Sequence, residues 1–383
     1  MLTKPKSYAT LMQFHFKYRR NQVITLSTKV IAAMSGGVDS SVTAALMVEA
    51  GYDVVAITMR LGTHDTIDIE SDKPNCCSLE GVEDARRVAV QLGIPFYAVN
   101  YEEQFRKRIV DYFADEYVAG RTPSPCVICN QDLKFGKLLD LATQLETDYV
   151  ATGHYARIEQ DPETGRHLLR KGVDDRKDQS YFLFSLTQNQ LRRALMPLGE
   201  YTKDQVREIA RKYKLRTSEK PESQELCFIA DDNYKRFLKD RIPDKIQEGE
   251  IVDRVGKTVG KHQGIPFYTV GQRRGLGIAT DAPLYVTELR THDNTIVVGK
   301  NTDLLQDEMQ VKGVNFITMD ELTEPIRADV KIRYRDAGAP ATITPLSDMQ
   351  AAVKFEEPRR AVTPGQAAVF YDGDVVIGGG WIK

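Results

Sequence analysis

The chain has 383 residues and a formal net charge of −2, with 42% hydrophobic and 28% charged residues. This length predicts two or three domains with the balance of a soluble globular protein, and the near-neutral charge excludes a globally basic nucleic-acid binder but not local basic patches. No apolar run approaches the ~18 residues that span a membrane, and five unevenly spaced cysteines do not form a secreted disulfide framework, so we expect a cytoplasmic protein.

Residues 1–29 stand apart because they carry basic side chains and no acidic ones. They lack the apolar core of a secretory signal. We predict a basic, disordered extension. A mitochondrial transit peptide has the same composition and is the alternative, which would place the protein in mitochondria.

A strand-to-helix junction follows. Residues 30–34 read as a short buried strand, and the helical pattern starts at Ser40 and stops at Gly51. Between them lies SGGVDSS, whose glycines let the backbone approach a ligand, while the free N–H groups at the helix start favour an anion. The alternative is an ordinary turn with Asp39 or Ser40 as N-cap. No lysine follows the glycines, so this is not the usual P-loop.

The pattern S-G-G-x-D-S resembles the PP-loop of enzymes that split ATP into AMP and pyrophosphate. The resemblance implies that the loop grips the pyrophosphate end of ATP and that Asp39 helps to place Mg²⁺. The implied ATP contacts are Ala33, Met34, Ser35, Gly36, Gly37, Val38, Asp39, Ser40, Met59 and Gly153.

The segments after the loop alternate between strand and helix patterns. DVVAITM, GIPFYAVNY and TDYVATGHYARI each contain a predicted strand, and a helical face separates the first two. This alternation predicts an α/β fold with a doubly wound parallel sheet and ligands at the carboxyl ends of its strands. Met59 and Gly153 both lie near such ends.

Composition changes further along the chain. TKDQVREIARKYKL predicts a helix capped by Thr202, whereas glycine and short β patterns dominate after residue 240. Alternating strands from about Leu304 predict a small antiparallel barrel. We therefore predict a PP-loop domain over residues 30–240, a central β-rich domain over 241–303 and a C-terminal β-barrel over 304–383.

Cysteines narrow the class of PP-loop enzyme. Cys126 and Cys129 form a C-x-x-C in GRTPSPCVICNQDLKFG, and Cys227 lies in ESQELCFI. Together with ATGHYAR, KDQSYFL, PLGEYTKDQVREIA, GKHQGIPFYTVGQRRGLG and TPGQAAVFY, these segments resemble the tRNA-specific 2-thiouridylases from about residue 30 to the end. The resemblance implies an enzyme that replaces O2 of the wobble uridine with sulfur in tRNAs for lysine, glutamate and glutamine.

The resemblance also assigns roles to the cysteines. Cys227 matches the cysteine that holds a persulfide, and Cys129 matches the nucleophile that attacks it. A lowered thiol pKa would help, with His154, Lys134 and Lys177 as candidate sources of positive charge. The family implies a cysteine desulfurase or a sulfur-relay protein as donor.

Cys126 departs from the common family pattern, in which aspartate at this position is an acid or base. Two mechanisms stay open. In one, Cys126 is a bystander to a relay between Cys129 and Cys227. In the other, all three bind a [4Fe–4S] cluster whose fourth iron carries sulfide, because three thiolates leave one position open.

The polyanionic substrate requires local binding surfaces. The implied tRNA contacts, which would meet the anticodon arm, are Ser124, Pro125, His154, Lys177, Asp178, Gln179, Arg333, Tyr334 and Gln366. The alternation in residues 331–335 predicts a strand with one basic face, and the alternative is a merely solvated strand. Two other functions stay open: a nitrogen-transferring PP-loop synthetase, and a tRNA-binding module with a vestigial ATP site.

Overall fold

The computed structural model describes residues 28–62, 79–221, 226–229, 231–278 and 282–383. Most of the predicted basic extension lies outside these ranges, and Lys29 already belongs to the first strand. Among the helices that the structure describes, none has the length and apolar character needed to cross a bilayer.

The strands are numbered along the chain. They are β1 Lys29–Ala33, β2 Asp53–Arg60, β3 Phe96–Asn100, β4 Tyr149–Ala151, β5 Ala156–Gln160, β6 His167–Lys171, β7 Ala194–Leu195, β8 Gly249–Asp253, β9 Thr258–His262, β10 Tyr285–Arg290, β11 Thr295–Gly299, β12 Leu305–Phe316, β13 Ile326–Lys331, β14 Ala339–Pro345, β15 Gln350–Arg360, β16 Ala367–Asp372 and β17 Val375–Ile382.

The α-helices are numbered in the same way. They are α1 Val38–Glu49, α2 Leu79–Leu92, α3 Glu102–Phe105, α4 Asp111–Val118, α5 Pro125–Ile128, α6 Leu138–Gln144, α7 Gln188–Arg192, α8 Lys203–Lys212 and α9 Tyr234–Arg241. Two π-helical segments connect neighbours: Arg106–Val110 joins α3 to α4, and Cys129–Lys137 joins α5 to α6.

The first part of the chain forms the predicted parallel sheet, with strand order β3-β2-β1-β4-β7. Ile31 of β1 belongs to one apolar cluster, whereas Val30 and Ala32 belong to the cluster on the other face. Burial on both faces is what a parallel sheet covered by helices requires. The predicted doubly wound α/β architecture is therefore confirmed.

Helix α1 starts earlier than the sequence predicts. It begins at Val38, and the extended Gly37 is its N-cap, so neither Asp39 nor Ser40 caps it. The hydroxyls of Ser40 and Ser41 both donate to the Gly37 carbonyl, at 3.1 and 2.8 Å. These bonds hold the turn together from inside the helix, and the Asp39 side chain is left to point elsewhere.

The central part of the chain forms a second sheet, with strand order β10-β11-β8-β9. Its apolar residues share one cluster with Phe105 and Phe113 of the first part, and Phe228 lies edge-on to both rings. The two parts therefore pack through a common core. Cys129 belongs to this cluster.

The C-terminal strands form the predicted antiparallel barrel, because β12 pairs with both β15 and β17. The sheet continues beyond the barrel in a way that the sequence does not predict. The hairpin β5–β6, from the first part of the chain, adds to β17 through the pairs Val375 with Arg170 and Val376 with Leu169.

One predicted strand is wrong in extent. Residues 331–335 do not form a strand with a basic face, since β13 ends at Lys331 and the following residues bend and turn. The Asp336 carboxylate accepts hydrogen bonds from the backbone N–H groups of Ile332 and Gly338, at 3.1 and 3.3 Å. Because these backbone N–H groups bond to a side chain, they do not continue the β-ladder, and the segment forms a loop.

Candidate active site

The SGGVDSS turn is built for close backbone approach. Gly36 has φ +76°, and a Cβ at this position would lie 2.2 Å from the carbonyl oxygen of Gly81 in α2. Only glycine fits both conditions. The Ser35 N–H donates to the Ser40 hydroxyl at 3.1 Å, which closes the turn over the start of α1. The N–H groups of the first helical turn therefore lie next to a tightly folded loop, as an anion site needs.

Asp39 is the centre of a charged cluster beside this turn. Both of its carboxylate oxygens accept hydrogen bonds from the Lys203 ammonium, at 2.7 and 2.8 Å, and Oδ1 also accepts one from the Tyr155 hydroxyl at 2.8 Å. The Lys203 side chain is 7% exposed and that of Asp39 is 34% exposed. Lys203 and Tyr155 are not among the predicted site residues, although they lie in the segments PLGEYTKDQVREIA and ATGHYAR.

Gly153 and Met59, two of the predicted ATP contacts, differ in what they touch. A Cβ on Gly153 would come within 3.0 Å of the carbonyl carbon of Asp39 and the N of Ser40, so the chain after β4 touches the turn directly. Met59 is half-buried near the end of β2 and packs against the apolar cluster that contains Cys129. It also packs against the apolar cluster that contains Ile31 of β1.

The cysteines differ in exposure. Cys126 is exposed on α5, Cys129 is buried at the start of the π-helical segment, and Cys227 is half-buried. Cys227 packs against the same apolar cluster to which Cys129 belongs. The fold thus brings the two predicted sulfur-handling residues to one core from distant parts of the chain.

The three cysteines do not have the arrangement of a metal site. Within the described ranges, no three His, Cys, Asp or Glu side chains are grouped as metal ligands would be. A [4Fe–4S] cluster needs its cysteine ligands around one cube of iron and sulfur. In this conformation the residues do not fit the cluster alternative.

Asn130 connects the cysteine segment to the KDQSYFL loop. Its side-chain amide donates to the backbone carbonyl of Phe182 at 3.0 Å, and its Oδ1 is buried with no hydrogen-bond partner in the part of the chain described. The Phe182 ring packs on Tyr334, with the ring centroids 4.5 Å apart. Burial and the charge of Asp178 raise the pKa of Tyr334, which stays a neutral phenol.

Most hydrogen bonds of the KDQ segment, residues 177–179, stabilise the loop that contains it. The buried Asp178 carboxylate accepts from the N–H groups of Gly172 and Ser180 and from the Ser180 hydroxyl. Gln179 accepts from the Tyr155 N–H at 3.0 Å, directly beside the Asp39 cluster. Lys177 is half-buried at the edge of the loop. The loop therefore spans the space between the nucleotide side and the barrel.

His154 is not the source of positive charge that the sequence suggested. Burial, and secondarily Lys134, lowers its pKa well below 6.5, so the ring is neutral. Its Nδ1 shares a 2.8 Å hydrogen bond with the Thr152 hydroxyl, and its ring lies 5.9 Å from that of Phe135. In this structure His154 packs and orients the chain after β4.

Of the remaining predicted tRNA contacts, three lie at or against the start of the C-x-x-C segment and Arg333 lies in the loop after β13. Ser124 and Pro125 are buried where α5 begins. Gln366 donates to the carbonyls of Thr122 and Pro123, at 3.2 and 3.1 Å, and so holds the loop before α5 against the barrel. Arg333 is exposed in the loop after β13 and donates to the Arg360 carbonyl at 2.8 Å.

Fold and site together define a PP-loop protein in which Cys129 and Cys227 contact one apolar cluster. Family models match three consecutive stretches: a tRNA methyl transferase HUP domain over residues 28–231, a tRNA methyl transferase PRC-barrel domain over 235–300 and an aminomethyltransferase beta-barrel domain over 306–382. Relatives in three bacteria match along almost the whole chain.

The tRNA-specific 2-thiouridylase MnmA of Clostridioides difficile (strain 630) is 49% identical over 358 residues, which cover 94% of this chain and 99% of that protein. That of Carboxydothermus hydrogenoformans is 49% identical over 355 residues, covering 93% and 97%. That of Clostridium acetobutylicum is 48% identical over 358 residues, covering 94% and 100%. The chain belongs to the tRNA-specific 2-thiouridylase family.

Proposed function

We propose that this protein carries out ATP-dependent 2-thiolation of the wobble uridine in tRNAs for lysine, glutamate and glutamine. Family membership supports the reaction class. The structural observation that carries the proposal is the shared apolar cluster of Cys129 and Cys227, in a chain whose SGGVDSS turn presents Asp39. The family models are described by methyl transfer, but two cysteines on one core suit sulfur chemistry.

The nucleotide side activates the uracil. ATP supplies an adenylyl group that turns the C2 oxygen into a good leaving group. The N–H groups at the start of α1 bind the pyrophosphate end, and Asp39 is the carboxylate available to Mg²⁺. Gly36 and Gly153 let the backbone around this turn pack closely, because a Cβ at either position would meet neighbouring backbone.

The cysteine side delivers the sulfur. Cys227 holds a persulfide, and the Cys129 thiolate attacks its Sγ. The bond to the terminal sulfur breaks, a Cys129–Cys227 disulfide forms, and the sulfide released displaces AMP from C2. An external thiol reductant then restores both cysteines. The donor that reloads Cys227 is a cysteine desulfurase or a sulfur-relay protein.

The tRNA side is the surface between the KDQ loop and the barrel. We assign the anticodon arm to Lys177, Gln179, Arg333 and Tyr334, because Tyr334 packs on Phe182 of the same loop. Five other predicted contacts shape this surface: Asp178, His154, Gln366, Ser124 and Pro125.

We propose domain boundaries at residues 240 and 303.

A thiolation assay tests the function. Purified protein, ATP, Mg²⁺, a cysteine desulfurase with cysteine and a tRNA for glutamate should yield 2-thiouridine, detected by mass spectrometry of the digested tRNA. A transcript with cytidine as first anticodon base is the control and should stay unmodified. Absence of 2-thiouridine from the uridine-bearing tRNA would remove the proposal.

Cysteine variants separate this function from its alternatives. Cys129→Ser and Cys227→Ser should abolish thiolation, whereas a nitrogen-transferring synthetase would tolerate both. Asp39→Ala should also abolish it, and retained modification would favour a tRNA-binding module with a vestigial ATP site.

The sulfur step has its own test. Cys126→Ser should keep most of the activity in a persulfide relay, and protein purified without oxygen and free of iron should turn over fully. Activity that rises and falls with bound iron would instead favour the [4Fe–4S] mechanism and require the three cysteines to regroup.

A further inference from the structure

The SGGVDSS turn of the proposed ATP site contains no lysine, but the fold places a lysine beside it. Lys203 is the first residue of α8 and lies 164 positions after Asp39, whose two carboxylate oxygens it contacts. Its ammonium also lies 5.7 Å from the centre of the Tyr155 ring. A cation therefore lies beside Asp39 in the first turn of α1.

The position of this lysine is fixed by the backbone. Thr202 and Gln205 form a reciprocal capping box at the start of α8. The Lys203 N–H donates to the buried Asp174 carboxylate at 3.0 Å. The capping box and this bond fix the backbone on either side of and at Lys203. Its side chain, 7% exposed, reaches Asp39.

The exposed fractions of the Lys203 and Asp39 side chains show from which side a ligand can reach the ion pair. Burying an ammonium costs several kcal/mol unless a partner compensates, so the almost fully buried Lys203 depends on Asp39. Asp39 itself keeps about a third of its side chain exposed. The ion pair is therefore accessible to a ligand from the carboxylate side, which is the side of the SGGVDSS turn.

We propose that Lys203 is a phosphate-binding residue of the ATP site and that Asp39 is its counter-ion only while no nucleotide is bound. On binding of MgATP, Asp39 turns to the metal and the Lys203 ammonium bonds to non-bridging oxygens at the pyrophosphate end. No covalent bond changes in this exchange. The inference rests on the proposed ATP site and adds the cation that its loop lacks.

A matched residue on the same helix serves as control. Lys212, in the last turn of α8, pairs with Glu49 of α1 at 3.6 Å and is 66% exposed. It joins the same two helices as Lys203 but lies far from the turn. Lys212→Met therefore reports the effect of losing an ion pair between these two helices away from the turn, and the comparison of pyrophosphate with AMP separates phosphate binding by Lys203 from a general loss of structure.

Binding measurements without tRNA test the inference. Titration calorimetry with MgATP, magnesium pyrophosphate and AMP should show at least about tenfold weaker binding of the first two to Lys203→Met, with AMP affinity unchanged. Lys203→Arg should fall between wild type and Lys203→Met, and Lys212→Met should stay within twofold of wild type.

Other outcomes would overturn it. These are a folded Lys203→Met that binds MgATP and pyrophosphate within twofold of wild type, or an equal loss for all three ligands. If Lys203→Met does not fold, Lys203→Arg decides by the same pyrophosphate-against-AMP comparison. Wild-type protein that binds MgATP but never thiolates tRNA would remove the proposed function and leave this inference standing.

Discussion

The side-chain amide of Asn130 donates a hydrogen bond to the backbone carbonyl of Phe182 at 3.0 Å. This bond joins the residue after Cys129 to the loop that carries Gln179 and packs on Tyr334. The Asn130 amide thus joins the cysteine segment to the loop, and the Phe182–Tyr334 contact joins the loop to the C-terminal part of the chain.

Asn130→Ala should therefore uncouple sulfur delivery from nucleotide binding. Loss of the buried bond costs about 1–3 kcal/mol because the Phe182 carbonyl is left without its donor. We expect thiolation turnover to fall by about tenfold while the Kd for MgATP stays unchanged, since the PP-loop is not touched. The exposed Asn189 offers the control, and Asn189→Ala should leave both values at wild-type level. Equal losses in turnover and ATP affinity would contradict the prediction.

Gly153→Ala should weaken ATP binding specifically. The added Cβ would lie 3.0 Å from backbone atoms at Asp39 and Ser40, so the start of α1 must shift by a few tenths of an ångström. We expect a several-fold higher Kd for MgATP in calorimetry. Gly165→Ala is the comparison, because that site has φ +73° but open space around the glycine. It should lower thermal stability and leave ATP affinity intact.

Variants of Gln366 test the contact between the barrel and the loop before α5. Its amide nitrogen donates to two backbone carbonyls of the loop before α5. Gln366→Glu should reduce thiolation more than Gln366→Ala, because a carboxylate would face the same carbonyls with like charge. The exposed Gln306 on the barrel provides the control variant Gln306→Ala. A glutamate variant as active as wild type would show that the two bonds do not matter.

His154 predicts a pH dependence of stability. Burial lowers its pKa in the folded protein well below the 6.5 of an exposed histidine. Below about pH 6.5 the unfolded chain therefore binds more protons than the folded one, and stability decreases as the pH falls toward the folded pKa. Melting temperatures between pH 8 and 5 should drop less steeply for His154→Gln than for wild type. His292, whose side chain is 79% exposed, supplies the control. His292→Gln should keep the wild-type slope.

Local patterns predicted the local parts of this site. The SGGVDSS turn, its strand and its helix are contiguous in the chain, so glycine positions and apolar periodicity were sufficient. Thr202 was likewise predicted as a helix cap, and the structure confirms it. The predicted helix start at Ser40 is two residues late, and the hydroxyls of Ser40 and Ser41 bond back to the Gly37 carbonyl from inside the helix.

Long-range parts of the site were not predictable in the same way. The contact of Lys203 with Asp39 depends on how α8 packs on α1, and nothing in the helical pattern shows which lysine points inward. The alternation in residues 331–335 predicts a strand. The Asp336 carboxylate accepts a hydrogen bond from the Ile332 N–H instead, and the strand ends there. In both cases a side chain outside the predicted pattern decided the outcome.

The hairpin β5–β6 completes an edge of the C-terminal barrel from outside it. A fragment starting at residue 304 would leave the backbone of Val375 and Val376 without the partners that Arg170 and Leu169 provide. Uncovered strand edges recruit other strands, so such a fragment is expected to self-associate during expression. A domain swap between homologues would therefore have to carry residues 156–171 along with the barrel.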